Sequence, residues 1–173
     1  MYLPPKDKKN DYNIRGLHGL PENYPIPDVC DMLFYIQRNQ NPNTVIYQIV
    51  KDKNDCFNRT NPINVFWRQY DNCGKDKPIN YIQRKLAYGY EFDLLTNDAF
   101  QMNIISYPAY KLFVTKNDDD IYKAVCKISN MWAELSNVYV FVEEQGAFPV
   151  VKYLELYGVN IDTGLPCYEK IDI

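Results

Sequence analysis

The chain has 173 residues, the length of a single domain, and its 46% hydrophobic residues and 16 tyrosines can form a core, which excludes wholesale disorder. Its 19 basic and 22 acidic residues leave a formal net charge of -3. Such a chain lacks the strongly positive field that attracts nucleic acids and anionic membranes, so we exclude both as primary partners.

The first thirty residues are rich in proline and show neither the period of a strand nor that of a helix. We predict an extended N-terminal arm over residues 1–30 and a single β domain over residues 31–173. Ordering an extended arm costs roughly 1 to 2 kcal/mol per residue, so other surface must hold it. We expect the arm to contact a neighbouring protein, or else to wrap its own domain, through Pro4, Pro5, Tyr12, Leu17, Tyr24, Pro25 and Pro27.

The next segment, LFYIQRNQNPNTVIYQIV at residues 33–50, alternates apolar and polar side chains on both sides of an amide-rich corner. Alternation with period 2 predicts two strands, and the Asn41-Pro42-Asn43 corner predicts the turn of a β-hairpin. A polar loop then leads to a third strand over residues 64–70.

A short helix is predicted after the polar turn DNCGKDK. Ile79, Ile82 and Leu86 follow the spacing i, i+3, i+7 of a helix with one apolar face. Asp76 is placed as its N-cap, Pro78 lies in its first turn, and Gly89 is placed to stop it.

From Gly89 onward the chain returns to the strand pattern. The predicted strands cover residues 90–95, 100–107, 111–115, 122–129, 137–144, 150–159 and 167–171. About nine short strands with turn signals every 8 to 12 residues are typical of an antiparallel β-sandwich or barrel. The fold class is therefore mainly β, with one short helix and the extended N-terminal arm.

Five widely spaced cysteines without a Cys-x-x-Cys pair indicate reduced thiols rather than a disulfide framework or a zinc site. The chain contains no apolar run of signal-peptide or membrane-span length. We expect a cytoplasmic protein.

Motifs that would indicate catalysis are missing from the sequence. The only histidine, His18, lies in the arm, and neither a nucleophile motif nor a phosphate-binding glycine motif occurs. Acidic residues in the strands, such as Glu91 and Glu155, are typical of a solvated face. We therefore expect no enzyme, no cofactor and no metal, although an enzyme of unrecognised type stays open as a third possibility.

A possible binding rim combines cationic, aromatic and amide side chains of the first hairpin, the third strand and the helix. If these elements pack together, the rim would suit an anion or a planar ligand. The alternative is that Arg38 ties the corner to backbone carbonyls, with Asn41 and Asn43 as turn formers. The rim residues are Arg38, Asn41, Asn43, Trp67, Arg68, Tyr81, Lys85 and Tyr88.

Four segments in this order carry a family resemblance: LFYIQRNQNPNTVIYQI, INVFWRQY, INYIQRKLAYGYEF and YLELYGVNIDTGLPCYEKI. They resemble the bacterial and protist family known as domain of unknown function 4833. The resemblance covers residues 33–171, nearly everything except the arm. It implies no catalytic residue, because the family has no established chemistry.

Two classes of function follow from these observations. We favour a non-enzymatic structural or interaction protein docked in a large cytoplasmic assembly, because tyrosine and arginine are enriched at interfaces. The 18 asparagines are typical of AT-rich protist genomes. Among large protist assemblies, the lumen of axonemal microtubules in a cilium fits a small arm-bearing protein, with tubulin and neighbouring axonemal proteins as partners. The alternative is a small-ligand or anion-binding β-module that uses the rim.

Overall fold

The structure, a computed structural model, describes residues 25–39 and 41–173. Within this part of the chain it contains eleven strands, one α-helix and a single turn of 3-10 helix (Tyr70–Asn72), which confirms the mainly β fold with a single short α-helix. The elements are β1 (Met32–Arg38), β2 (Asn41–Ile49), β3 (Ile63–Gln69), β4 (Lys75–Pro78), α1 (Tyr81–Leu86), β5 (Tyr90–Thr96), β6 (Ala99–Ile104), β7 (Leu112–Lys116), β8 (Tyr122–Ile128), β9 (Met131–Gln145), β10 (Phe148–Asn160) and β11 (Pro166–Asp172).

The strands form one sheet in the order β4-β3-β2-β1-β9-β8-β7-β6-β5, with β10 on the other edge of β9 and β11 beyond β10. The long strand β9 joins two parts of the sheet, which we call wings. Its first residues pair with β8 of the wing formed by β5 to β8, and residues 137–140 pair with β1 of the wing formed by β1 to β4. The β1–β9 pairing is parallel and all other strand pairs are antiparallel. The predicted antiparallel pattern therefore holds except at this junction.

Contacts between the two wings show that the sheet curls into an incomplete barrel. The Tyr90 hydroxyl of β5 accepts a hydrogen bond from the Ile63 N–H of β3 (3.0 Å) and donates one to the Ile63 carbonyl (3.0 Å). Phe57 and Phe100 pack with ring centroids 4.8 Å apart. The core consequently lies on the concave side of the curl, between the wings.

The convex face of the first hairpin is covered by the described end of the arm. Val29 packs there against the buried side chains Tyr35, Ile46 and Phe66. The Gln37 side chain donates a hydrogen bond to the Pro25 carbonyl (2.7 Å), and Pro27 is buried. For residues 25–30 the protein thus wraps its own domain.

The remaining arm residues named above, Pro4, Pro5, Tyr12, Leu17 and Tyr24, lie outside the described residues. Residues 25–30 are held by the sheet of their own chain, so their contacts do not require a neighbouring protein.

The first hairpin reverses earlier than the sequence pattern predicts. Arg38 pairs directly with Asn41, so β2 begins at Asn41 and already includes Asn43. The Asn41 side-chain oxygen accepts from the Asn43 N–H (2.9 Å), and the Asn43 side-chain oxygen accepts from the Asp71 N–H (3.3 Å). The first bond is local and the second joins β2 to the segment after β3, and together they stabilise the start of a strand where the pattern predicted a corner.

The helix is shorter than predicted, and Asn80 is its N-cap. The Asn80 side chain accepts from the Gln83 N–H (2.8 Å), while the Gln83 side chain accepts from the Asn80 N–H (3.0 Å), which completes a capping box. The predicted cap, Asp76, lies in β4 instead and forms an ion pair with Arg68. The residues assigned to the first helical turn therefore extend the sheet, because they pair with the edge of β3.

The apolar spacing of the helix does not correspond to a buried face. Ile79 is buried, but Ile82 and Leu86 are 66% and 71% exposed. Gly89 does lie just after the helix, and a Cβ atom there would lie 1.9 Å from the Arg84 carbonyl oxygen. Close approach of the helix end, rather than a left-handed backbone, is the reason that this position needs glycine.

Candidate functional site

A cavity of about 470 Å³ opens on the concave side of the curled sheet. Its walls come from β1, β9 and β10, from the end of α1 and the segment after it, and from the ends of β6 and β7 with the loop between them. This volume lies in the range of small-molecule sites, which are mostly apolar with a few placed polar groups.

The apolar wall follows from the alternation of β9 and β10. Val138 pairs with Leu156 and Val140 pairs with Leu154, so all four side chains lie on one face and line the cavity. Both strands are predicted from the sequence, but no predicted site residue lies in them. Matched apolar alternation in two long neighbouring strands is the signal that indicates this wall.

Arg38 is the only charged side chain among the described residues that line the cavity. It also lines a shallow polar depression next to the cavity, together with Glu143 and Glu144. The guanidinium therefore lies at the mouth, where the apolar wall meets polar surface.

Asn39 holds the end of β1 against β9 and thereby positions Arg38. Its side-chain amide donates to the Val142 carbonyl (2.9 Å) and its side-chain oxygen accepts from the Val142 N–H (2.8 Å). The Asn39 N–H donates to the Val140 carbonyl (3.2 Å). Asn39 is not among the predicted site residues, since a side chain that takes the place of a strand partner can be recognised only after β1 and β9 are known to be neighbours.

Three tyrosines add hydroxyl groups to the cavity wall: Tyr88, Tyr107 and Tyr110. The Tyr110 hydroxyl donates to the Lys127 carbonyl, and burial raises its pKa. Burial also raises the pKa of Tyr88, while the positive charge of Arg38 opposes this shift. The Tyr88 phenol is thus protonated at neutral pH and lies within the electrostatic influence of Arg38.

Of the predicted rim, the structure brings together Arg38, Trp67 and Tyr88. The Trp67 ring meets the Tyr88 ring edge-on with centroids 5.3 Å apart, and its indole N–H donates to the Gln83 side chain (3.2 Å). Trp67 therefore packs against Tyr88 without lining the cavity, whereas Arg38 and Tyr88 line it.

The other predicted rim residues lie elsewhere. Arg68 pairs with Asp76 at 2.8 Å beside the β3–β4 edge. Lys85 lies over the Tyr81 ring on exposed surface of α1, 5.7 Å from the ring centroid. Asn41 and Asn43 are engaged in the bonds that begin β2. The eight residues do not form one continuous site.

The acidic residue Glu155 is buried on the opposite face of β10 from the cavity-lining residues. It accepts hydrogen bonds from the hydroxyls of Tyr157 (3.0 Å) and Tyr168 (2.5 Å). Glu155 is thus part of a buried polar cluster, rather than of the solvated face that the sequence suggested.

No group of three or more potential metal ligands occurs among the described residues. In the same part of the chain, no helix is long and apolar enough to span a membrane.

Comparison with known proteins identifies one family. The model of the family described as Domain of unknown function (DUF4833) matches residues 34–170. Searches of curated proteins and of solved structures gave no match. The family match covers nearly the whole domain and agrees with the four motifs described above. The chain is therefore a member of the DUF4833 family.

Proposed function

We propose that the protein is a non-enzymatic binding module that holds a small, mainly apolar molecule in the cavity of its curled sheet. The observation that carries this proposal is the cavity of about 470 Å³, whose lining residues are aliphatic or aromatic except for Arg38 and Ser106. Burial of apolar ligand surface contributes roughly 25 cal/mol per Å², so such a wall favours apolar ligands without needing specific polar contacts.

Binding without a reaction fits the side chains on the cavity wall. The described residues that line it include no carboxylate, histidine or cysteine side chain. The buried carboxylate in β10, Glu155, faces away from the cavity and is bonded to two tyrosine hydroxyls. An acid–base pair of the kind used by hydrolases is therefore absent from this part of the structure.

Fluorescence titration with N-phenyl-1-naphthylamine, an uncharged apolar probe, tests the proposal. We expect enhanced, blue-shifted emission with the natural protein and no enhancement with Leu154→Trp, which fills the cavity. The matched control is Leu94→Trp, since Leu94 lies on β5, is 42% exposed and does not line the cavity. Circular dichroism melting of each variant shows that it is folded, and Val140→Phe provides a second, smaller filling substitution.

Two results would overturn this proposal. The first is no enhancement with the natural protein. The second is equal binding by folded Leu154→Trp and by the natural protein, because the probe would then bind outside the cavity.

We keep as a second candidate the interaction protein that the sequence favours, docked in a large assembly. Its support is the exposed apolar surface of α1, where Tyr81, Ile82 and Leu86 are 73%, 66% and 71% exposed. Apolar side chains grouped in this way mark contact surfaces more often than isolated ones. The cytoplasmic axoneme as location, and tubulin as partner, depend on sequence composition alone.

Co-sedimentation with polymerised tubulin tests this candidate. We expect the natural protein to sediment with microtubules, and deletion of residues 1–24 or the substitution Ile82→Ser to reduce the bound fraction. A protein that stays in the supernatant at all microtubule concentrations contradicts the axonemal assignment.

A further inference from the structure

The position of Arg38 indicates the kind of molecule that the cavity accepts. Arg38 follows the last inward-facing apolar residue of β1, Ile36, and lines both the apolar cavity and the polar depression outside it. An arginine stays protonated at any physiological pH and presents a planar donor fork that matches a carboxylate. The site thus combines a long apolar wall with one fixed cation at its opening.

We propose that the ligand is a single-chain amphiphile with one anionic headgroup, of the fatty carboxylate class. This inference rests on the proposed binding function. The headgroup binds the Arg38 guanidinium, and the hydrocarbon chain lies against the aliphatic side chains of β9 and β10. This orientation keeps the charged end in the polar opening and removes the chain from water.

The surrounding charges favour a headgroup on the inner side of Arg38. Glu143 and Glu144 are exposed and line the polar depression together with Arg38, so they repel an anion from that depression. Glu143 also lies 3.6 Å from the Lys152 ammonium, so that cation is already paired. On the inner side Tyr88 supplies a protonated phenol near Arg38, which can donate a second hydrogen bond to the headgroup.

The shape of the wall favours a flexible chain. The wall beside Arg38 consists of branched aliphatic side chains in register on two strands, since Arg38 pairs with Val140, Val140 with Leu154 and Val138 with Leu156. Their surface offers no hydrogen-bonding group to a polar ring. Affinity should therefore rise with chain length, by about fourfold for each added methylene while the chain still fits.

Competition against the bound naphthylamine probe tests this inference with dodecanoate, used below its micelle-forming concentration, and dodecan-1-ol, used below its solubility limit. These molecules share the chain and differ in the charge of the headgroup. We expect dodecanoate to bind the natural protein at least tenfold more tightly than dodecan-1-ol, and decanoate, which is two methylenes shorter, to bind about fifteenfold less tightly than dodecanoate.

Substitution of the arginine locates the headgroup. Arg38→Met should weaken dodecanoate binding by roughly tenfold to a hundredfold and leave binding of dodecan-1-ol and of the probe within about twofold. Arg68→Met is the matched control, because Arg68 lies outside the cavity in a surface pair with Asp76. It should leave all three affinities unchanged.

The outcomes separate this inference from the proposed function. If the probe binds in the cavity but dodecanoate and dodecan-1-ol compete equally in the natural protein, the anionic ligand class is wrong and the binding function stands. The same holds if Arg38→Met weakens both competitors equally. If the probe does not bind at all, the binding function itself fails. The comparison of the two ligands on the natural protein requires no variant to fold.

Discussion

Removing one hydroxyl group from the core tests whether the curl of the sheet is held by the contacts that define the cavity. Tyr47 is fully buried in β2, and its hydroxyl donates to the Tyr88 carbonyl at 2.7 Å. Its ring stacks on Phe34 with centroids 4.4 Å apart and an interplanar angle of 12°. Tyr47→Phe keeps this stacking and deletes only the hydrogen bond between β2 and the segment after α1.

The expected loss follows from the partner left behind. A typical hydrogen bond contributes about 0.5 to 1.5 kcal/mol net, and an unsatisfied buried carbonyl raises the cost. We therefore expect Tyr47→Phe to lower the free energy of unfolding by about 1 to 2 kcal/mol. For a domain of this size, that loss corresponds to a decrease in Tm of roughly 2 to 8 °C.

Urea unfolding followed by circular dichroism measures this loss. Tyr81→Phe is the matched control, since Tyr81 is 73% exposed and its change should leave the midpoint unaltered. Tyr47→Phe should also weaken probe binding, because Tyr88 lines the cavity. Equal midpoints for the two variants, with an unchanged slope, would show that the Tyr47 hydroxyl does not contribute to holding the wings together.

Three further outcomes are expected. Gly89→Ala should destabilise the domain by about 1 to 3 kcal/mol in the same urea assay, because the alanine Cβ would lie 1.9 Å from the Arg84 carbonyl oxygen. An unchanged unfolding midpoint would contradict that contact. Burial raises the pKa of the Cys126 thiol to about 11, so at pH 8 iodoacetamide should modify exposed Cys73 and spare Cys126, as mass spectrometry of peptides can show. Burial holds the pKa of Tyr47 well above its usual value near 10, so the unfolded chain loses this proton first. The contribution of Tyr47 to stability should be constant below about pH 10 and then fall by up to about 1.4 kcal/mol per pH unit, so urea unfolding in this range should show a less steep loss in Tyr47→Phe than in the natural protein.

The sequence predicted those features of the fold that depend on local chemistry. The period of residues 33–50 identified the first hairpin, because neighbouring side chains of a strand point to opposite faces. The chain reversals after residues 96, 116 and 160 were likewise placed by polar turn sequences. Such signals act over a few residues and do not depend on distant contacts.

The helix shows where local spacing misleads. Ile79, Ile82 and Leu86 have helical spacing, yet only Ile79 is buried. The preceding residues Lys75–Pro78 pair with β3, and this pairing moves the start of the helix to Tyr81. A pattern of apolar residues does not determine whether another element packs against them. Here two of the three residues, Ile82 and Leu86, are exposed.

The candidate site was predicted only in part. Arg38, Trp67 and Tyr88 were named from their residue types and do lie near one another, whereas Arg68 and Lys85 do not join them. The apolar wall and the Asn39 side-chain bonds to Val142 were not predicted from the sequence. Both depend on the parallel pairing of β1 with β9, which lies about a hundred residues away along the chain.

The sequence alone therefore determined the mainly β class, the first hairpin, the family and the residue types available for a site, since each is written in local period, turn chemistry or motif order. Only the tertiary structure decided that the sheet curls, that β1 joins β9 in parallel, and that Arg38 lies at the mouth of an apolar cavity. The physical reason is that long-range strand pairing chooses which side chains face one another, and period-2 alternation is compatible with many such choices.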